Sequence, residues 1–172
     1  MADKLELEIV TPEGVQLRES IDELTAPSVD GEFGALPGHR PLLAALGTGL
    51  VTYRIGNQTT QVAVGPGFVE LHDDRAVILT DRYSTKEQID PVRVRLELKD
   101  ADAALDEYKG DPTDAAYTDL VQRERWAAVL LELYGDPPPP TIRVMSEVAP
   151  PPETFTETAE DNPLGPPPVT PA

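Results

Sequence analysis

Between residues 1 and 88 apolar and polar side chains alternate with a period of two. Leu5, Leu7 and Ile9 fall on one side of an extended chain, and Lys4, Glu6 and Glu8 fall on the other. Val51, Tyr53 and Ile55 repeat the pattern, followed by Val62 and Val64, by Phe68, Val69 and Leu71, and by Ala76 to Leu79. Turn residues separate these runs at Pro12–Gly14, Asp30–Gly31, Gly56–Asn57, Gly65–Gly67 and Asp73–Asp74. Short strands at this spacing predict an all-β sandwich or barrel, with Gly56-Asn57 as a tight hairpin turn.

The period changes after residue 88. Val94, Leu98, Ala101, Leu105 and Tyr108 are spaced to share one helix face. Asp90-Pro91 supplies an N-cap followed by proline at the first helical position, and Ile89 and Val94 stand where a hydrophobic staple would join them. Gly110 ends this helix. Asp111-Pro112 repeats the start signal, Asp114 adds a favourable charge to the first turn, and Ala116, Leu120, Ala127, Leu131 and Tyr134 line a second helix over 112–134 that stops at Gly135. The short connection predicts an antiparallel α-helical hairpin. Residues 136–172 hold 12 prolines and one aromatic, Phe155. Such a segment buries too little surface to offset its chain entropy and is expected to be a disordered spacer of polyproline II character. The expected organisation is a sandwich over 1–88, a two-helix hairpin over 89–135 and a tail over 136–172.

Charge and composition narrow the functions. The net charge is −17 and the sequence pI about 4.3, which argue against nucleic acid or an anionic membrane surface as the main partner. The three segments carry −7, −5 and −5, so pattern rather than charge distinguishes them. Cysteine is absent, which excludes disulfides and thiolate chemistry, and the two histidines, His39 and His72, do not suggest a metal centre. No apolar run approaches the roughly 18 residues that would span a bilayer, and the first ten residues do not resemble a signal peptide. The expectation is a cytoplasmic chain that reaches a membrane only through another protein. Ser20, Ser28, Ser84 and Ser146 stand in no nucleophile elbow, no phosphate-binding Gly-Lys loop occurs, and Asp73-Asp74 reads as a turn. No catalytic or metal-ligating set emerges.

The most distinctive stretch runs Asp30-Gly31-Glu32-Phe33-Gly34-Ala35-Leu36-Pro37-Gly38-His39-Arg40-Pro41, followed by Leu42, Leu43 and Leu46, which are expected to enter the core. Its glycines and prolines fix a loop path with Glu32 and His39 at its shoulders, either as a docking surface or as a loop whose histidine satisfies a backbone carbonyl. This run, the Gly65-Pro66-Gly67-Phe68-Val69-Glu70 turn and strand, the Ile78-Leu79-Thr80-Asp81 strand and the Ile89-Asp90 helix start together resemble the epsilon subunit of F-type ATP synthases, called delta in mitochondria. The likeness covers residues 4 to about 134 and leaves the prolyl tail without a counterpart.

The resemblance implies a ten-stranded β-sandwich followed by a helical hairpin, in a non-catalytic central-stalk subunit at the cytoplasmic face of the membrane. It implies that the sandwich joins the gamma subunit to the rotor ring of c subunits in proton-driven ATP synthesis, with Glu32 and His39 in the region facing the ring. It implies a hairpin that either folds on the sandwich or extends towards the catalytic beta and alpha subunits and restrains ATP hydrolysis. Some relatives bind regulatory ATP through an Ile/Leu-Asp-x-x-Arg-Ala motif. Ile89, Asp90 and Arg93 match it and Val94 replaces the alanine, while Arg123 and Arg125 would add phosphate contacts. Asp90 is equally explained as a helix cap. A net charge of −5 on the hairpin weakens docking to an acidic partner, so any inhibitory contact would concentrate on Arg123, Arg125 and Trp126; Trp126 alternatively packs on the first helix or the sandwich. The competing reading is a stand-alone acidic β-sandwich binding module with no rotary role.

Overall fold

Ten strands form in chain order among residues 4–139, which are the residues that the computed structural model describes: β1 (Leu5–Thr11), β2 (Gly14–Ile21), β3 (Glu23–Ser28), β4 (Gly31–Ala35), β5 (Leu42–Leu46), β6 (Gly49–Ile55), β7 (Gln58–Val64), β8 (Gly67–His72), β9 (Arg75–Thr80) and β10 (Tyr83–Ser84). A 3-10 turn at Lys86–Gln88 leads to α1 (Pro91–Glu107) and α2 (Ala115–Tyr134). The tail expected beyond Pro139 lies outside the described residues.

Neighbouring strands run β10-β7-β6-β3-β5-β8-β9-β1-β2, with β4 paired to β3. The β1–β9 pair is parallel and brings Glu6 opposite Arg75; the other pairs are antiparallel. β3 is the corner: its first half pairs with β6, while Ser28 at its end pairs with Leu46 of β5. The sheet folds over so that its inner faces share one core. Leu5, Leu7, Ile9, Ile21, Leu24, Val51, Val62, Val64, Val69, Leu71 and Ile78 are each at most 2% exposed within it. The period-two sides read for β1 and β6 match this core, except that Ile55 reaches the surface beside the Gly56-Asn57 turn. Asp73 and Asp74 form the turn between β8 and β9, both with left-handed φ of 48° and 57°. Aspartate tolerates that region better than most side chains.

The helices begin and end for local reasons. The Asp90 carboxylate accepts from the N–H groups of Val92 and Arg93 at 3.0 and 3.3 Å, with Pro91 behind it. α1 stops at Glu107, earlier than Gly110. Its partner begins at Ala115, three residues later than Asp111-Pro112 suggested. The Asp111 carboxylate is taken by Thr113, whose N–H and hydroxyl both donate to it (2.8 and 2.7 Å), closing a turn ahead of the helix. Asp114 occupies the cap position, but its side chain accepts from the Tyr108 hydroxyl at 2.9 Å rather than from the helix N–H groups. Gly135 ends α2 in the left-handed region at φ 104°, donating to the Leu131 and Glu132 carbonyls.

α2 lies between α1 and the sandwich. A second core joins Ala63 of β7 to Val94, Ala127, Leu130, Leu131 and Leu133, with Leu50, Ile89, Leu98, Trp126 and Val129 packed around it. Leu130 and Leu133, outside the apolar set expected for the second helix, are buried, whereas Ala116 and Tyr134, within it, are exposed. The hairpin is folded against β6 and β7, and the Thr48 hydroxyl donates to Gln122 Oε1 at 3.2 Å across the seam.

Candidate interaction surfaces

The Gly-Pro-His stretch is a strand followed by a turn. Residues 31–35 form β4, in which Glu32 pairs with Pro27. The loop proper is 36–41. Glu32 thus lies near the start of β4 and His39 in the loop beyond its end, and both side chains are exposed. Gly38 donates its N–H to Asp74 Oδ1, which ties the loop to the β8–β9 turn. The His39 N–H donates to the Leu36 carbonyl at 3.0 Å, and its ring Nδ1 lies 2.7 Å from the Arg40 carbonyl.

Leu43 does not enter the core. Leu46 does, and Leu42 packs against it, but Leu43 is 72% exposed. Strand alternation puts Leu43 on the outer face, and cross-strand register extends that face into an apolar band. Ala45 stands opposite Phe68, Phe68 opposite Leu79, Leu79 beside Val10 and Val10 opposite Val15. Phe68 is 57% and Leu79 51% exposed. The band is bordered by Glu70 and by Glu8, whose carboxylate accepts from Arg18 and Arg75 at 3.0 and 2.8 Å. Those two arginines hold the Glu8 carboxyl below its ordinary pKa. A contiguous apolar face of this kind marks a contact surface. Its signal in the sequence is that Phe68-Val69 and Val77-Ile78-Leu79 are unbroken apolar runs, which occupy both faces of a strand rather than one.

The residues matched to an ATP motif are already engaged. Asp90 caps α1, Ile89 packs in the second core, and Arg93 Nε donates to Glu97 Oε1 at 2.9 Å. Arg95 meets Asp136, just beyond α2, so Arg93 lies level with the C-terminal end of that helix. Arg123 sits 13 residues before Asp136, and at about 1.5 Å per residue this is roughly 20 Å along the axis. The fold does not bring Arg93 together with Arg123 and Arg125. Both of the latter are exposed on α2, while Trp126 is half-buried against the sandwich with the Arg82 guanidinium carbon 6.0 Å from its ring centre. Among the described residues no group of three or more metal-ligating side chains converges, and no helix is long and apolar enough to cross a membrane.

The family model for the ATP synthase delta/epsilon chain β-sandwich domain matches residues 4–86. The ATP synthase epsilon chain 2 of Syntrophotalea carbinolica is 39% identical over 135 residues, covering 78% of this chain and 96% of that protein. The chain belongs to the ATP synthase epsilon chain family. The epsilon chain of Geobacter metallireducens is 41% identical over 118 residues, covering 68% of this chain and 83% of its own length. Two solved assemblies contain chains of the same fold. A chain of the Euglena gracilis mitochondrial ATP synthase OSCP/F1/c-ring structure aligns with TM-score 0.59 at 21% identity, over 79% of this chain and 80% of that one. A chain of the Tetrahymena thermophila mitochondrial ATP synthase central stalk and c-ring aligns with TM-score 0.51 at 17% identity, over 76% and 96%. Family membership makes the chain a central-stalk subunit of an ATP synthase and sets aside the free-standing binding module.

Proposed function

We propose that this epsilon-family subunit couples the gamma subunit to the c-ring without catalysing a reaction itself, at the cytoplasmic face of a proton-translocating ATP synthase. The apolar band of Leu43, Phe68 and Leu79 carries the reading. It is too wide for a face meant for water, and its polar border fits the anatomy of a protein interface. We assign it to gamma. With 57% of Phe68 left exposed, about 100 Å² of a ring surface of roughly 200 Å² remains to be buried, worth about 2–3 kcal/mol from this side chain alone. The end of the sandwich carrying Leu36, His39 and Asp74 is assigned to the ring, with Glu32 at the other end of β4 as a separate rim contact. The division into sandwich, hairpin and tail follows the change of pattern at residues 88 and 135.

Regulation belongs to the hairpin. In its folded arrangement Trp126 is committed to the sandwich, which leaves Arg123 and Arg125 as the exposed bases of α2 for the catalytic subunits. ATP as a regulatory ligand would have to recruit Arg93 away from Glu97. Co-purification tests the coupling role. Phe68→Glu combined with Leu79→Glu should leave the isolated sandwich folded by circular dichroism yet abolish recovery with gamma and the c-ring. Undiminished recovery of a folded double variant would mean that gamma docks elsewhere.

A further inference from the structure

The helical hairpin has one end closed by the chain and one end open. At the closed end, residues 108–114 link the helices, the Tyr108 hydroxyl donates to Asp114, and the Tyr108 and Tyr117 rings lie 5.4 Å apart. At the open end, α1 begins at Pro91 and α2 ends at Tyr134. There the chain does something that neither helix propensity nor the apolar seam requires. Gly135 turns left-handed, and the Asp136 N–H donates back to the Leu131 carbonyl at 2.9 Å, fixing where Asp136 stands. Its Oδ2 then accepts from both Nε and Nη2 of Arg95 on α1, at 2.9 and 2.6 Å. Pro137, Pro138 and Pro139 follow along a groove of about 320 Å³ floored by Leu98 and Leu131 and edged by Lys99 and Asp102. Prolines have little side-chain freedom to lose and cannot prolong α2, so they suit a short strap.

We propose that Asp136–Pro139 is a clasp that holds the open end of the hairpin shut, with Arg95 as its catch, so that these four residues set how readily α1 and α2 separate. Half of each partner is exposed, at 50% and 53% of the side chain, which makes the clasp weak and salt-sensitive, as a releasable contact must be. The two-pronged guanidinium geometry gives it direction. The inference is independent of the assignment of gamma and the c-ring.

Amide hydrogen exchange on the full chain tests it. Asp136→Ala and Arg95→Gln should each speed exchange in the last turn of α2 (Leu130–Tyr134) and in α1 near Leu98 by roughly fivefold at low salt, less at high salt. Val62–Val64 in the sandwich should exchange unchanged. The charge swap Arg95→Asp with Asp136→Arg should bring exchange back towards the original rate, which a residue acting only through packing would not do. Truncation after Gly135 should loosen the hairpin at least as much as Asp136→Ala, whereas truncation after Pro139 should leave it closed. Unchanged exchange in Asp136→Ala, no recovery in the swap, or equal loosening by both truncations would each overturn the clasp.

Discussion

Replacing Gly67 by alanine tests the sandwich where it is least able to yield. A Cβ at that position would lie 1.9 Å from the Leu79 carbonyl oxygen, 2.9 Å from its carbon and 2.9 Å from the Thr80 Cα. Carbon and oxygen tolerate contact at about 3.3 Å, so the backbones must part by roughly 1.4 Å. What blocks the methyl is ladder backbone and not the mobile end of a side chain. Neither strand can retreat cheaply, because β8 is held on its far side by β5 and β9 by β1. Overpacking of a tight interior costs about 1–3 kcal/mol, and a collision with paired backbone belongs at the upper end, so about 3 kcal/mol is expected. With a urea slope of about 2 kcal/mol/M the unfolding midpoint should fall by about 1.5 M. Gly34→Ala is the matched control, since its Cβ would meet nothing nearer than the Leu24 carbonyl at 3.8 Å, and its midpoint should move by less than about 0.3 M. A Gly67→Ala midpoint within about 0.3 M of the parent, with unchanged slope, would refute the argument that strand approach fixes glycine here.

Leu131→Ala should lower unfolding free energy by about 2–5 kcal/mol, measured by denaturant titration, because the side chain is 2% exposed in the core shared by hairpin and sandwich. Thr80→Val should cost about 1–3 kcal/mol despite its matching shape, since the buried hydroxyl donates to the Gly65 carbonyl at 3.0 Å; a neutral result by thermal unfolding would show that carbonyl to be otherwise satisfied. Glu8 has its folded pKa lowered by hydrogen bonds from Arg75 and Arg18, so its stabilisation is present above the ordinary glutamate pKa and is lost as pH falls through the depressed value. Asp22, lowered by Lys4 and the Gly56 N–H, acts in the same direction. Unfolding followed from neutral pH into the acid range should therefore be steeper for the parent than for Glu8→Gln. Trp126 is the single tryptophan, so red-shifted emission on Arg82→Ala should report loosening of α2 from the sandwich.

Alternation was a good guide wherever one face of a strand is dry and the other wet, as in β1. It gave less where both faces are apolar. Phe68, Val69 and Leu79 read as core runs, and which of them face outward depends on register with β5 and β9, set by partners distant in sequence. Leu43 looks inward from the sequence for the same reason: neighbouring Leu42 and small Ala44 are the inward pair, and nothing local distinguishes the two phases. The face of α1 was legible because it packs in one direction. α2 contacts α1 on one side and β7 on another, so its buried stripe is broader than a single helical period marks. Its start is ambiguous in the sequence because Asp111-Pro112 and Asp114 are both good caps, and Thr113 decides between them by occupying the first. The glycines around Glu32 and His39 suggest a single loop, whereas Gly31 and Gly34 lie within strand β4 and Gly38 in the loop beyond it.

The parallel pairing of β1 with β9 has a consequence for the making of the protein. Glu6 cannot meet Arg75 until about 70 further residues have left the ribosome, which at about 5–20 residues per second takes roughly 4–14 s. Through that interval β2 is the one ladder partner β1 has, in a hairpin that by itself is marginal in water, and the inner face that covers Leu5, Leu7 and Ile9 is incomplete. The sheet therefore cannot close before β9 arrives, and β1 stays without its parallel neighbour until about 70 further residues have followed it.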